Sequence, residues 1–461
     1  MSATALRTRS LTRFTRSTTL PRRQFKQIVC QQCRQRQWQS SLAQRPGSDR
    51  VHFPGALNSK FTTKLAFDRP HEKSAMPTYR FLDQDGNVVD QSATALDITD
   101  EEAVKLYSDM VVVSIMDIIM FDAQRQGKIS FYVVNAGEEG IGVGSASALS
   151  PRDPIFAQYR EAGVLKYRGF EPADFLAQLF STKNDPGKGR NMPVHYGSQQ
   201  HYIHTISSPL ATQIPQASGA AYAVKMQNMQ NPNGEQRVVV CYFGEGAASE
   251  GDFHAGLNIA ATKQCPILFI CRNNGYSIST PTLEQYRGDG IASRGIGYGI
   301  DTIRVDGNDM LAVREVVKQA REVALSDGGR PVLIEAMSYR VSHHSTSDDS
   351  FAYRAKVEVE DWKRRDNPIT RFRKWMEGKG IWDDEKEKEL RSSARKSVLE
   401  AYRQAEKDKH PPLREMLTDV YETMTEEQLE QLAELREIVK RYPAEYDVSR
   451  YEGGLAGLEV R

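Results

Sequence analysis

Residues Val238 to Tyr276 read VVVCYFGEGAASEGDFHAGLNIAATKQCPILFICRNNGY. An apolar run, a Gly-Glu-Gly turn, small residues at helical spacing, a second apolar run and two asparagines follow in that order, which predicts strand, turn, helix, strand, turn. Strands joined by a helical crossover lie parallel. Their carboxyl ends, carrying GEG and NN, therefore share one sheet edge, where α/β folds bind ligands. Glu245 offers a carboxylate there, Asn274 an amide carbonyl, and the backbone carbonyls beyond the strand are free. Hard oxygen donors of this kind suit magnesium, which keeps part of its coordination for phosphates. Gly244 and Gly246 permit a tight turn and close backbone approach to a phosphate, and Ala247, Ala248 and Ser249 open a helix whose amino end favours anions. GEG alone is equally an ordinary strand-to-helix turn. The NN pair at the end of the next strand separates the two readings in favour of a magnesium and diphosphate site.

Gly-acid-Gly followed after 26 intervening residues by Asn-Asn resembles the thiamine diphosphate motif. YFGEGAASEGD, RNNGYSISTPT, EQYRGDGIA and HHSTSDDS resemble the alpha chains of the decarboxylating component of branched-chain 2-oxo acid dehydrogenase complexes, and the likeness runs from about Thr99 to about Tyr421. It implies an α/β parallel-sheet thiamine diphosphate-binding fold with helices on both faces. It also implies a mitochondrial matrix enzyme of branched-chain amino acid catabolism that decarboxylates 3-methyl-2-oxobutanoate, 4-methyl-2-oxopentanoate and 3-methyl-2-oxopentanoate. The acyl group passes to the lipoyl group of an acyltransferase core. The assembly implied is an alpha2-beta2 heterotetramer, inactive without the beta subunit because the glutamate facing the aminopyrimidine ring belongs to that chain. Pyruvate-type chains, the nearest rival, usually carry GDG and a different loop. A non-catalytic scaffold subunit is the rival of another class, and intact Glu245, Asn274 and His344 argue against it.

Residue by residue, the resemblance implies that Glu245, Asn274 and the Tyr276 carbonyl hold magnesium. Gln158, Tyr159, Arg160, Ser208, Leu210, Gly246, Ala247, Arg272 and His344 meet the cofactor. Of these, Arg160, Arg272 and His344 lie at its diphosphate, His344 also at the reaction centre as the catalytic residue, and Leu210 beneath its bent shape. Ser207, Pro209, Thr212 and Gln213 match a structural potassium site. Ser345 matches the serine that an inactivating kinase modifies, making a kinase and a phosphatase further partners; a second target ten positions on is Ala355 here. A phosphate on Ser345 would add roughly −1.5 to −2 charge beside Asp348 and Asp349 and disorder the loop. Without the family, Arg160 after a strand at Pro154 to Ala157 is either a phosphate clamp or half of a surface pair with Glu161. His343 and His344 are adjacent, so on extended chain they point opposite ways and do not share a metal.

The chain has 461 residues, 39% hydrophobic and 26% charged, with net charge +1, which favours neither nucleic acid nor membrane as a partner. No apolar run approaches the ~18–20 residues of a membrane span. Met1 to Ser48 contains no acidic residue and ten basic ones among Ser and Thr, the composition of a mitochondrial transit peptide; a basic nucleic-acid arm is the rival reading. Cys30 and Cys33 form a lone CxxC there, read as incidental. Cys241, Cys265 and Cys271 fall in or beside apolar strands and read as reduced core residues. Residues 49–98 read as an extended arm with a hairpin across Asp85-Gly86, 99–356 as the cofactor-binding domain, and 357–461 as a helical region contacting partner chains.

Within the domain, Thr99 and Glu102 predict a capping box for a helix ending near Arg125, buried or at an interface through MVVVSIMDIIMF. GKGRNMPVHYG is a basic loop able to cover a ligand, without the ending of a P-loop. Gly219 to Ala223 predict a helix face open to another helix. Asp301 to Val305 and Val332 to Tyr339 predict strands around a helix at Asp309 to Leu325. Thr370 to Gly378, Asp384 to Lys407 and Thr425 to Tyr442 predict surface helices, with Glu437 paired to Arg441. Asp447 to Arg461 reads as a weakly ordered tail.

Overall fold

The computed structural model describes residues 50–53, 56–90 and 97–459. The basic segment read as a transit peptide, with its CxxC, lies outside the described residues. The chain forms two units, Met1–Pro70 and His71–Arg461. The described part of the first includes an antiparallel hairpin of β1 (Arg50–Phe53) and β2 (Ala56–Lys60). In the second, β3 (Thr78–Tyr79), β4 (Ile155–Phe156), β5 (Ile203–His204), β6 (Val239–Gly244) and β7 (Ile267–Asn273) precede a small antiparallel ladder of β8 (Tyr276–Ser277) and β9 (Thr280–Pro281), then β10 (Asp301–Asp306) and β11 (Pro331–Met337).

A run such as VVCYF offers water no polar face, so it makes a stable strand only where both faces of a sheet are covered. That is what it finds. The seven strands of the main sheet run β3-β10-β11-β7-β6-β4-β5, parallel throughout. Alternate residues of the central strands feed two cores. Val240, Tyr242, Leu268 and Ile270 pack with the helices Asp100–Arg125 and Met310–Leu325, whereas Val239, Cys241, Phe243, Phe269 and Cys271 pack with Gln213–Gln230 and Gly251–Lys263. The three cysteines are buried and free. The expected α/β sheet covered on both faces is therefore present. The chain leaves β5 at one edge and returns to β6 between β4 and β7, and such a reversal opens a crevice at the strands' carboxyl ends.

Several local expectations need correcting. Thr99 caps its helix by accepting from the Glu102 N–H at 3.2 Å, but the Glu102 carboxylate does not reach back. It takes Arg314 at 2.9 Å instead, because a partner with full charge outcompetes a backbone amide. Asp85-Gly86 does form a tight turn, with Leu82 bridging Val88, and Thr78–Tyr79 ahead of it is the edge strand of the sheet. Phe81 and Leu82 donate their N–H groups to buried Asp309. Gly219 faces open space, and the close approach between its helix and the next is made at Gly256, where a Cβ would lie 2.7 Å from the Ile214 side chain. Glu437 pairs with Lys440, not Arg441. The tail is not loose as far as Glu459: it forms a 3-10 turn at Gly454–Leu458, and Leu458 is buried with Leu432 and Val439. Among the described residues no helix is long and apolar enough to cross a membrane.

Candidate active site

Parallel register keeps the strand ends level: Gly244 stands opposite Arg272, and Asn273 opposite Met337. GEG and NN thus meet across a whole crossover, with the Asn274 N–H donating to Glu245 Oε2 at 3.4 Å. Glu245 is 2% exposed, and its Oε1 is buried without a hydrogen-bond partner. Burial, with the negative Glu138 close by, pushes its carboxyl up to about 7. A buried carboxylate oxygen with no hydrogen-bond partner is one that a cation would satisfy. Asn274 Oδ1 accepts from the Tyr276 N–H at 3.2 Å. No three His, Cys, Asp or Glu converge as a metal cluster among the described residues. The oxygens gathered here are one carboxylate, one amide oxygen and main-chain carbonyls, the hard set that suits magnesium. The carbonyls expected to be free already accept, however: Asn274 from the Arg340 N–H at 3.2 Å, Gly275 from the Thr282 N–H at 3.1 Å and Tyr276 from Arg340 Nη1 at 3.5 Å. The residues present fit that ion.

The two asparagines have different work. Asn273 donates to Tyr286 and to Glu335 at 2.9 and 2.8 Å, fixing the loop before the helix Ala292–Gly297, whose first N–H groups also bind Glu335. Asn274 meets Glu245 through its backbone N–H, while its side-chain nitrogen donates to Glu138 at 2.7 Å.

Behind this pair lies a buried cluster of charge. Arg272 donates through Nε to Glu161 and through Nη1 to Glu138. Arg160 places its Nε 3.5 Å from Glu138 and donates to the carbonyls of Val134 and, at 2.9 Å, His344. All four side chains are nearly inaccessible, which overturns the surface-pair reading of Arg160 with Glu161. Burial alone would raise the Glu138 carboxyl, but Arg272 and then Arg160 hold it below the usual range. Burial would likewise lower Arg272, and Glu161 and Glu138 more than reverse it. Burial raises the Glu161 carboxyl even with Arg272 beside it. The cluster sets two acids against two guanidinium groups.

Tyr159 meets the His344 ring edge-on at 5.8 Å. Burial first, then Arg160 and Arg340, pushes the His344 imidazole down to about 3, so it is neutral at physiological pH. Arg340 Nη1 lies 3.5 Å from Nδ1; a guanidinium only donates, so the proton sits on Nε2. His343 points elsewhere, its Nδ1 accepting from the Ser350 N–H at 2.9 Å, as adjacency required. The loop carrying both is pinned by Arg354 on the carbonyls of Arg340 and Ser342, at 2.5 and 2.6 Å. Asp348 holds the His344 N–H and the Tyr353 hydroxyl, both at 2.7 Å. Ser345 is buried in this closed loop.

Ser207 to Gln213 form a turn in which Ala211 takes a left-handed backbone, φ 66°. Ser208, Pro209 and Leu210 are exposed, while Gln213 is buried. Thr212 donates to the Pro209 carbonyl at 3.1 Å, and Gln213 Nε2 to the Tyr242 carbonyl at 3.0 Å. Ser208 donates to His195 Nε2 at 2.8 Å; His195 Nδ1 faces the Pro193 carbonyl at 3.0 Å, which fixes the tautomer.

Two expectations about backbone and charge change here. Neither Gly244 nor Gly246 takes a positive φ; Gly246 is needed because a Cβ would meet Ser277, 2.7 Å from that residue's Cβ. Ala247–Ser249 is a three-residue 3-10 turn, and the helix proper starts at Gly251, so its amino end is displaced from GEG. In the GKGR loop, Lys188 and Arg190 are paired with Glu415 and Asp419, which leaves that loop tied to the helix Glu415–Thr418. Gln158, Tyr159, Arg160, Glu245, Arg272, Asn274, Tyr276 and His344 gather at one sheet edge, whereas Ser207 to Gln213 form a separate turn. The reading of the sequence missed Glu138 and Arg340, and saw Glu161 only as half of a surface pair. A signal was available: charged residues inside apolar, small-residue stretches such as VVNAGEEGIGVG are buried and need partners.

Residues 107–414 match the model of the dehydrogenase E1 component family. The chain belongs to that family. It is 51% identical over 404 residues to the mouse protein named 2-oxoisovalerate dehydrogenase subunit alpha, mitochondrial, covering 88% of this chain and 89% of the relative. The human protein of the same name is 50% identical over 419 residues, 91% of each chain. Subunit alpha 2 of Arabidopsis thaliana is 49% identical over 396 residues, 86% of this chain and 82% of the relative.

Proposed function

We propose that this chain is the alpha subunit of a mitochondrial branched-chain 2-oxo acid dehydrogenase, active only with a beta subunit, and that it supplies the diphosphate and magnesium half of a shared thiamine diphosphate site. The observation that carries the site reading is the orphaned buried oxygen of Glu245 beside Asn274 at the carboxyl edge of the sheet. Thiamine diphosphate, when bound, supplies the electron sink for releasing carbon dioxide from a 2-oxo acid.

The chain's own residues bind and orient. Glu245, Asn274 and the Tyr276 carbonyl hold magnesium; Arg160 and Arg272 face the diphosphate with Gln158, Tyr159, Gly246 and Ala247 around it. His344, neutral and protonated on Nε2, is a hydrogen-bond donor for an anionic oxygen. Ser208 and Leu210 meet the cofactor from the exposed turn, which Ser207, Pro209, Thr212 and Gln213 stabilise around potassium. The acyl group goes to a lipoyl-bearing acyltransferase core. Ser345 is the regulatory phosphorylation site, and its burial means that a kinase must find the loop opened. Residues 1–48 act as the transit peptide, 49–98 as an arm whose Thr78–Tyr79 adds the edge strand to the sheet, 99–356 as the cofactor domain and 357–461 as a partner-contact region.

The test is carbon dioxide release from 3-methyl-2-oxobutanoate and from pyruvate, using the mature chain with and without its co-expressed beta chain. Faster turnover of the branched substrate, only with the partner, is expected. Preference for pyruvate would overturn the substrate; activity of the chain alone would overturn the shared site.

A further inference from the structure

Glu138 touches three of the expected site residues at once, Arg160 after β4 and Arg272 and Asn274 at the end of β7. Its Oε1 accepts from Asn274 Nδ2 at 2.7 Å and lies 3.5 Å from Arg160 Nε, while Oε2 accepts from Arg272 Nη1. It is 3% exposed, so water does not compete for these contacts.

Asn274 carries an oxygen and a nitrogen at equal reach from its Cγ, and only the oxygen can ligate a cation. An ionised carboxylate accepts and cannot donate. Glu138 therefore takes the amide nitrogen and leaves Oδ1, which also accepts from the Tyr276 N–H at 3.2 Å, as the end with a lone pair for a metal. Through its other oxygen it shares Arg272 with Glu161, which fixes the plane of that guanidinium. We infer that Glu138 is a positioning residue for cofactor loading: it selects the ligating face of Asn274 and aims Arg272, without itself touching metal or diphosphate. This rests on the reading of Glu245 and Asn274 as magnesium ligands. Carboxylates that orient a metal ligand from behind are typically worth 10–100-fold in metal affinity.

The experiment uses the assembled heterotetramer and manganese as the probe, with bound and free ion counted by electron paramagnetic resonance in the presence of thiamine diphosphate, so no turnover is needed. Glu138→Gln keeps the shape but removes the charge and lets either end of Asn274 approach; manganese binding about tenfold weaker or more is expected. In an Asn274→Asp background there is no amide to orient and two carboxylates face each other, so the same Glu138→Gln change should strengthen binding instead. That reversal of sign is what a merely structural role cannot give, since loss of fold support would weaken both backgrounds alike. Equal loss in both backgrounds, or unchanged binding in the first, overturns the inference. Should Glu138→Gln not assemble, Glu138→Asp, which retracts the carboxylate, is expected to weaken manganese binding, and wild-type affinity would overturn the inference. If the unaltered tetramer bound no manganese with the cofactor, the functional reading itself would fall, and this inference with it.

Discussion

The strand-end cluster and the Ser207–Gln213 turn are assigned to one cofactor, yet they are built in opposite ways. In the cluster, Glu138, Glu161, Arg160, Arg272, Glu245 and Asn274 are all buried; Glu138 and Glu161 are paired with the two arginines, and only Glu245 keeps an oxygen without a partner. In the turn, Ser208, Pro209 and Leu210 are exposed. A buried charge persists only where its partners are already in place, so the group of two glutamates and two arginines behind Glu245 is finished within this chain. The turn is left open on one side, as a surface completed by a second chain would be.

The largest effect should follow from the residue on which the cluster converges. Glu245→Ala in the assembled enzyme should lower turnover by about 10³-fold, the scale of losing several kcal/mol of charge stabilisation with the metal. Unchanged carbon dioxide release would favour the scaffold reading. Next comes Arg272→Met, which strands Glu138 and Glu161 as buried charges. It should cost about 3–5 kcal/mol of stability, seen as a lower denaturation midpoint. A loss below ~1 kcal/mol, the range of exposed pairs, would mean that the cluster is wetter than its burial indicates.

Glu139 sharpens the same point by pH. It is buried, and its carboxyl is pushed from 4.5 up to about 8, chiefly by burial, although Oε2 accepts from the Gly137 N–H at 2.8 Å. Between those two values the unfolded chain has released a proton that the folded chain retains. Stability is therefore highest below the lower value and falls as pH rises through the window. Glu139→Gln should flatten that slope, being more stable than the parent by on the order of a few kcal/mol at pH 8 and nearly equal in acid. Parallel stability curves across the window would show that Glu139 is ionised in the fold.

What was legible in the sequence follows the same division. The strands Val239–Gly244 and Ile267–Asn273 could be read because a continuous apolar run has few other uses, and the helix Asp384–Lys407 because its solvated face is periodic. Glu245 and Asn274 could be placed together because a parallel crossover fixes where both strand ends fall. Glu138 could not be paired by spacing: Arg272 lies 134 residues away and Asn274 136. The amino end of the helix after GEG was misjudged for a local reason. AAS closes as a 3-10 turn and Glu250 takes an extended backbone before Gly251, a choice that propensity does not reveal.

The smallest effect belongs to the turn, and it tests the contrast from the other side. Leu210 is 37% exposed, so Leu210→Ala removes little that this chain packs against itself. Its denaturation midpoint should move by no more than ~0.5 kcal/mol of stability, as for surface substitutions generally. If the leucine supports the bound cofactor, the assembled enzyme should still lose about 1–2 kcal/mol of thiamine diphosphate affinity, because the complex would bury the apolar area that the free chain leaves open. That is roughly tenfold in the half-saturating concentration. Loss of stability without loss of affinity would place Leu210 in this chain's own core, and the turn would no longer be the open half of the site.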